Sequence, residues 1–487
     1  MKKILLLWLL PLTTFAADFE WTPRMQQAYG EIIRLRLNKG KQLLAPELGR
    51  NGVANYLDDY ADMLYLLLTE DRRSYEAIQK KGEERLDQLE DMDEDSPWNR
   101  CLRAEIKLHW AFIKIKFGKE VPGAWDVIKA YKLLEENAKK FPGFTYNHKA
   151  LGMMHILIGS APENYRWVTK LLGLRGNIQQ GLGELRQVAA KEALFRDEAQ
   201  LMEYLMQGYV LKMNGREMTD FQKFVSTHAD NLLIQFFGNS LLMKEGYGDA
   251  ALAIAQNHPS SPEYLTIPFF DYHKAEILVQ KGQYQAALNA YQQFLKVHTS
   301  GNFLKDTYYR QYLCYEFLGD EAHARAAYDR VKTIGEESVE ADKAALKAVS
   351  KPYKSLSPTR KVLLRSRFAS DGGYYEPALA LLKPYTEASF TEPEEKAEYN
   401  YRKGRIYHRT DEVPEAIAAY ERAIQLGEGQ HWHFAPSSCL QLGYLYQARN
   451  DKAHARQYFE KAITYKKHEY KNSVDGKAKA ALNEMGF

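Results

Sequence analysis

From about residue 195 onward, apolar and polar positions recur in a fixed register. Alanine stands at 251, 287, 324, 378, 416 and 455. Four positions later comes Ala255, Tyr291, Tyr328, Leu382, Tyr420 or Phe459. Five positions before each alanine sits a turn former: Gly246, Gly282, Gly319, Gly373, Asp411 or Asn450. Seven further back, a small residue fills the slot in three cases (Ala275, Gly404, Gly443), and Asn239, Tyr312 and Ser366 fill it in the others. Spacings of three and four put side chains on one helix face. A turn former between two such faces therefore predicts helical hairpins. The turn residues step by 36, 37, 54, 38 and 39. The long step is accounted for by an insertion over 336–360, where Glu337 to Val349 predicts an extra helix and Lys351 to Pro358 a loop. Strand-like alternation of useful length is absent from the chain.

The N-terminal part is helical but less regular. Helices are expected over Met25–Leu44, Val53–Leu68 and Tyr75–Leu89, the last closed by the acidic run Glu90–Asp95. That run lacks the spacing and central glycine of a calcium loop and reads as a solvated turn. Ser96-Pro97 fits a helix start. Trp98–Phe117 and Ala124–Lys140 then form a hairpin joined through Gly118–Gly123. A glycine-spaced stretch follows, with Gly152, Gly159, Gly173, Gly176, Gly181 and Gly183. Glycine costs a helix about 1 kcal/mol relative to alanine, so this density calls for close helix crossing and a sharp turn at Gly173–Gly176.

The glycine/alanine/tyrosine register, with a period near the ~34 residues of tetratricopeptide (TPR) repeats, resembles a TPR array with lengthened inter-repeat loops. The resemblance is strongest over about 230–465 and implies an all-α fold, a hairpin solenoid wound as a right-handed superhelix. A second resemblance is carried by Phe141-Pro142-Gly143-Phe144, Leu151-Gly152, Gly159, Pro162, Trp167, Leu171-Leu172-Gly173, Gly176 and Gly181. This block, 141–185, is similar to one in a eukaryotic TPR family of the mitochondrial outer membrane linked to lipid-droplet-mediated clearance of inclusion bodies. The expected organisation is a signal peptide over 1–16, a divergent helical region over 17–190 and a repeat array over 191–487.

Composition changes this picture little. Hydrophobic content of 45% with 26% charged residues is ordinary for a soluble chain. The formal charge of +3 falls to +1 once Lys2 and Lys3 leave with the leader, so no nucleic-acid footprint is indicated. The leader itself shows a basic start, an apolar run Ile4–Leu12 and a small-x-small site Thr14-Phe15-Ala16. It predicts export, to the periplasm or beyond, with no transmembrane segment in the mature chain, because the run is shorter than the ~20 residues a span needs. Cys101, Cys314 and Cys439 have no metal or redox spacing and read as buried small hydrophobes.

Catalytic motifs are missing. Walker A, His-Glu-x-x-His and Gly-x-Ser-x-Gly sequences do not occur. Gly173–Gly176 and Gly181–Gly183 follow no strand, which disfavours dinucleotide binding. His431-Trp432-His433 offers two imidazoles without an obvious third ligand. Neither a cofactor nor a metal is therefore expected.

The TPR resemblance implies that the first helix of each hairpin lines a concave groove. Ten, six and three residues before the turn, those faces carry Phe236, Tyr272, Tyr309, Tyr401, Arg367, Arg405, Tyr444 and His408. Tyrosine and arginine are frequent interface anchors. The leading expectation is an exported, non-catalytic scaffold that binds a protein or peptide partner of the cell envelope, with an acidic group near Arg367 and Arg405. Two alternatives stay open: a carrier of a small or lipid-like ligand, and an envelope enzyme acting on glycans through paired carboxylates.

Overall fold

The computed structural model describes residues 18–160 and 172–487. The leader and Pro162, Trp167 and Leu171 of the glycine-rich block lie outside the described residues. Helices account for all regular structure among the described residues. The N-terminal part holds α1 (Pro23–Ile33), α2 (Leu37–Leu44), α3 (Gly52–Thr69), α4 (Arg72–Ile78), α5 (Lys81–Glu90), α6 (Pro97–Lys116), α7 (Glu120–Lys140), α8 (His148–Gly159), α9 (Ile178–Lys191) and α10 (Arg196–Tyr209). Hairpins then follow as α11 (Gly215–Thr227) with α12 (Leu232–Lys244) and α13 (Gly248–Asn257), α14 (Phe269–Gln280) with α15 (Tyr284–Val297), and α16 (Leu304–Leu318) with α17 (Glu321–Thr333). The inserted α18 (Glu340–Ala348) precedes α19 (Pro358–Asp371) with α20 (Tyr375–Leu382), α21 (Pro393–Arg409) with α22 (Val413–Gly427), α23 (Phe434–Ala448) with α24 (Lys452–Thr464), and a closing α25 (Lys471–Glu484).

The register read from sequence is the packing register. All six alanines are fully buried. All six turn formers, the four glycines as well as Asp411 and Asn450, adopt positive φ and reverse the chain between paired helices. At the small-residue slot, Gly404 and Gly443 receive the rings of Tyr420 and Phe459 from the second helix. Where the slot is polar, the side chain reaches the carbonyl of the buried alanine: Asn239 Nδ2 donates to Ala251 O at 2.7 Å and Ser366 Oγ to Ala378 O at 3.0 Å. A Cβ added at Gly404 would stand 2.6 Å from Tyr420 Cδ1. Gly404→Ala is therefore expected to weaken the α21–α22 hairpin by about 1–3 kcal/mol through overpacking, read as faster amide exchange confined to that hairpin and its neighbours.

The insertion is tied into the array. Asp342 on α18 caps the start of α16, accepting from Phe303 N at 2.6 Å and Asp306 N at 2.9 Å, and thereby holds Phe303 at a φ of 61°. The loop after α18 is gathered by buried Glu316, which accepts from Tyr353 Oη, Ser355 Oγ and Leu356 N and pairs with Lys361.

Two expected helices are each broken in two. Met25–Leu44 divides at Leu35, which takes a φ of 62° while its carbonyl accepts from Leu265 N in the array at 2.9 Å. Tyr75–Leu89 divides at Gln79–Lys80, and Gly82 beyond the break seats the Trp110 indole. The glycine density after Phe141 serves a close crossing: Gly181 packs against the Gly152 carbonyl and Gly176 against Gly159, so α8 and α9 meet backbone to backbone.

The N-terminal helices are joined by buried charge. Lys149 on α8 pairs with Glu105 on α6 at 3.2 Å and Glu198 on α10 at 3.0 Å. Tyr29 and Tyr60 donate to Glu198, and Tyr56 and Tyr146 to Glu105, at 2.6–3.0 Å. A second network centres on Asp59, which accepts from Arg85 and Trp110 and contacts His109. These helices dock along the array: Arg34 pairs with Asp230, Glu70 accepts from Asn302, and Arg72 pairs with Glu336.

Candidate functional site

The array coils tightly. The turns of hairpins α12–α13 and α19–α20 touch although two hairpins lie between them, with Gly248 N donating to Gly372 O at 3.2 Å and Tyr374 Oη to Asp249 at 3.2 Å. Helix α14 also contacts α19. The concave side is consequently occupied over this stretch, and the first part of the aromatic ladder goes into packing. Phe236 is half-buried among Phe237, Phe270 and His273. Tyr272 is 7% exposed and donates to Asp306. Tyr309 is half-buried 5.8 Å from the Tyr312 ring; burial pushes its phenol up against the pull of Arg310, Arg360 and Arg367.

An open cleft of about 290 Å³ begins where the coil relaxes, between α19, α21, α23 and α25. Arg367 and Arg405 hold equivalent register positions on neighbouring first helices, and both line it together with Tyr401. Tyr401 and Leu440 are buried beneath the opening, Arg402 and Lys477 add charge, and His433 and Tyr470 stand at the edge with rings 5.1 Å apart. Arg405 donates to the Tyr401 phenol at 3.2 Å one turn away. Arg402 is held by Glu398 at 3.0 Å, and Arg367 faces Asp371 at 3.6 Å. His408 and Tyr444 are not among the residues that line the cleft: His408 Nδ1 lies 3.4 Å from Tyr420 Oη, and Tyr444 packs on Phe459 beneath the Lys212 ammonium at 4.7 Å.

The cleft carries a positive field. Burial pushes the Tyr401 phenol up, yet Arg405 and Arg402 reverse this and hold it below the usual tyrosine value. Burial lowers Lys212, and Arg409, Arg405 and Lys477 lower it further. His408 is pushed down to about 4 by burial and then by Lys212, Arg409 and Arg405. His433 is likewise near 4, from burial and Arg402, despite Glu469 at 3.6 Å.

Arg402, His433, Tyr470 and Lys477 are charged or aromatic lining residues that the groove register does not supply, and Lys212 stands outside the lining, over Tyr444. Arg402 carries the most legible signal, standing beside Tyr401 and within a turn of Arg405. Lys477 comes from the closing helix beyond the last hairpin, and Lys212 from a loop some two hundred residues upstream. The imidazoles of His431 and His433 diverge: His431 Nδ1 lies 3.2 Å from Lys467 O while His433 edges the cleft. No group of three histidine, cysteine, aspartate or glutamate side chains suited to a metal occurs among the described residues, and the three cysteines are buried.

The fold is an all-α solenoid of helical hairpins whose paired helices share one small-residue and aromatic register. Within it, the tetratricopeptide repeat family model matches residues 397–426 and 436–469, the hairpins α21–α22 and α23–α24, whose first helices supply two of the four walls of the cleft. The chain carries tetratricopeptide repeats over these residues. No curated protein matches it, so the likeness of 141–185 to the mitochondrial outer-membrane family rests on those residues alone. Among solved structures, the crystal structure of the P58(IPK) TPR domain at 2.5 Å is 16% identical over 87% of this chain and 99% of that chain. Its TM-score is 0.21, too low to bear on the fold or function argued here. No helix among the described residues is long and apolar enough to cross a membrane.

Proposed function

We propose that this protein is an exported, non-catalytic scaffold that takes a protein or peptide segment of the cell envelope into the cleft lined by Arg367, Tyr401 and Arg405. The observation that carries the reading is the joining of these three side chains in one open cavity, to which the matched repeats contribute α21 and α23. Repeat solenoids use such concave surfaces for binding. Buried Tyr401 beside two guanidinium groups supplies the aromatic and arginine anchors common at interface centres, and the positive field selects an acidic group on the partner. His408 and Tyr444 extend the contact along α21 and α23. Export follows from the leader at 1–16.

In-cell cross-linking with a photoreactive residue at position 408, followed by mass spectrometry, is expected to return one recurrent envelope protein. Arg367→Ala with Arg405→Ala should reduce that capture at least tenfold while leaving the helical circular dichroism unchanged. Undiminished capture by the double variant would show that the partner binds elsewhere.

A further inference from the structure

We infer that the same cleft is a binding site for a dianionic phosphoryl oxyanion, either a phosphomonoester or free phosphate. This deepens the assignment of the cleft as the ligand-binding face, and the charge balance carries it. Four cations line the cavity, Arg367, Arg402, Arg405 and Lys477, against the single lining carboxylate Asp371. Arg402 is paired with Glu398, which accepts at 3.0 and 3.2 Å and is shared with Arg360. Arg367 stands against Asp371 at 3.6 Å. Arg405 and Lys477 have no carboxylate within ion-pair distance among the described residues, although Arg405 is largely enclosed and already directed by its bond to Tyr401.

At least two positive charges are therefore left over at one small cavity. A phosphomonoester carries about −1.5 to −2 near neutral pH and would balance two of them, whereas a carboxylate would balance only one. Guanidinium groups present forked donors suited to phosphoryl oxygens, and lysine adds a point charge. Tyr401, held below its usual value by Arg405 and Arg402 against the effect of burial, reports the same excess. At about 290 Å³, the cavity lies at the lower edge of the roughly 300–1,000 Å³ of small-molecule pockets, room for a phosphoryl group with a compact substituent. The rings of His433 and Tyr470 at the edge offer that substituent an aromatic platform.

The test is calorimetric titration of the full mature chain with inorganic phosphate, phenyl phosphate and acetate at matched ionic strength in chloride. The expected result is one site for the phosphates, at least tenfold tighter than acetate and weakened at least tenfold by Arg405→Gln. Lys477→Gln, which alters an exposed position on the closing helix, should weaken it severalfold with no effect on folding. Tighter binding of phenyl phosphate than of inorganic phosphate identifies an ester as the ligand, and the reverse order identifies the free anion; either supports the site. Acetate binding equal to phosphate, or phosphate binding unchanged in both variants, overturns it. Partner capture without phosphate binding would remove this inference and leave the scaffold standing. Phosphate binding by a chain that captures no partner would do the opposite.

Discussion

Lys149→Met is expected to destabilise the N-terminal helices by about 3–5 kcal/mol, the range for removing one member of a buried ion network. The Lys149 side chain is 4% exposed, and its two carboxylate partners come from separate helices, α6 and α10. Burial disfavours its charge, but Glu105 and Glu198 outweigh burial and raise it above the usual lysine value. Burial pushes Glu198 up, yet Lys149 and the hydroxyls of Tyr29 and Tyr60 hold it below the usual glutamate value. Methionine would fill most of the volume while leaving two carboxylates facing each other without a cation. The aromatic rings around the ammonium, with Tyr146 nearest at 4.9 Å, would lose their cation as well. Denaturant unfolding followed through the tyrosines of this cluster reads the effect. A loss below about 1 kcal/mol, the scale of an exposed pair, would show that solvent reaches the network. Adding Glu105→Gln and Glu198→Gln to Lys149→Met removes the stranded charges and should recover part of the loss.

That network was not legible in the sequence, whereas the repeat register was, and the difference is one of range. The buried alanine, the bulky residue four positions on and the turn former at positive φ are local, so spacing alone places them within each hairpin. Asp411 and Asn450 could be assigned to left-handed turns because the other four turn formers are glycines at the same phase. The same locality put Arg367 and Arg405 in one cleft, since equivalent positions on successive first helices lie side by side. It failed where separate parts of the chain meet. Lys149, Glu105 and Glu198 are far apart in sequence and have no common spacing. Leu35 reverses the chain without glycine or proline, in company with a bond to Leu265. The aromatic ladder is interrupted for a related reason: contact between α12–α13 and α19–α20 draws the concave side inward, so Tyr272 becomes core while Tyr401, two hairpins beyond α16–α17, floors an opening. Lys212 reaches Tyr444 only because the coil brings the α10–α11 loop back to α23.

Acid should unfold this protein in two stages, and the first begins above the carboxylate range. His273 is buried on α14, with Nδ1 2.7 Å from Asn239 Oδ1 and its ring stacked on Phe236. Burial alone pushes it down to about 4. A histidine lowered on folding contributes stability that is complete above its unfolded value near 6.5 and is lost as pH falls toward the folded value. For His273 that loss is about 3 kcal/mol between pH 6.5 and 4, at roughly 1.4 kcal/mol per unit. His408 and His433, both near 4, lie in the same window and steepen the fall. Glu398 governs the second stage. Burial would raise it, but Arg402 and Arg360 hold it at about 2, so its contribution, also about 3 kcal/mol, is lost as pH falls from about 4.5 toward 2. Unfolding free energy measured in urea from pH 7 to pH 4 should therefore decline steadily before most carboxylates titrate. His273→Asn should reduce the slope over that interval by about one proton's worth, roughly 1.4 kcal/mol per pH unit, even if it lowers stability at pH 7. An unchanged slope would mean that the imidazole is hydrated or already charged in the folded chain. At pH 5.5 His408 and His433, both near 4 in the folded chain, stay neutral, so phosphate affinity there should fall only as the phosphoryl dianion, with its second pKa near 6, takes up a proton.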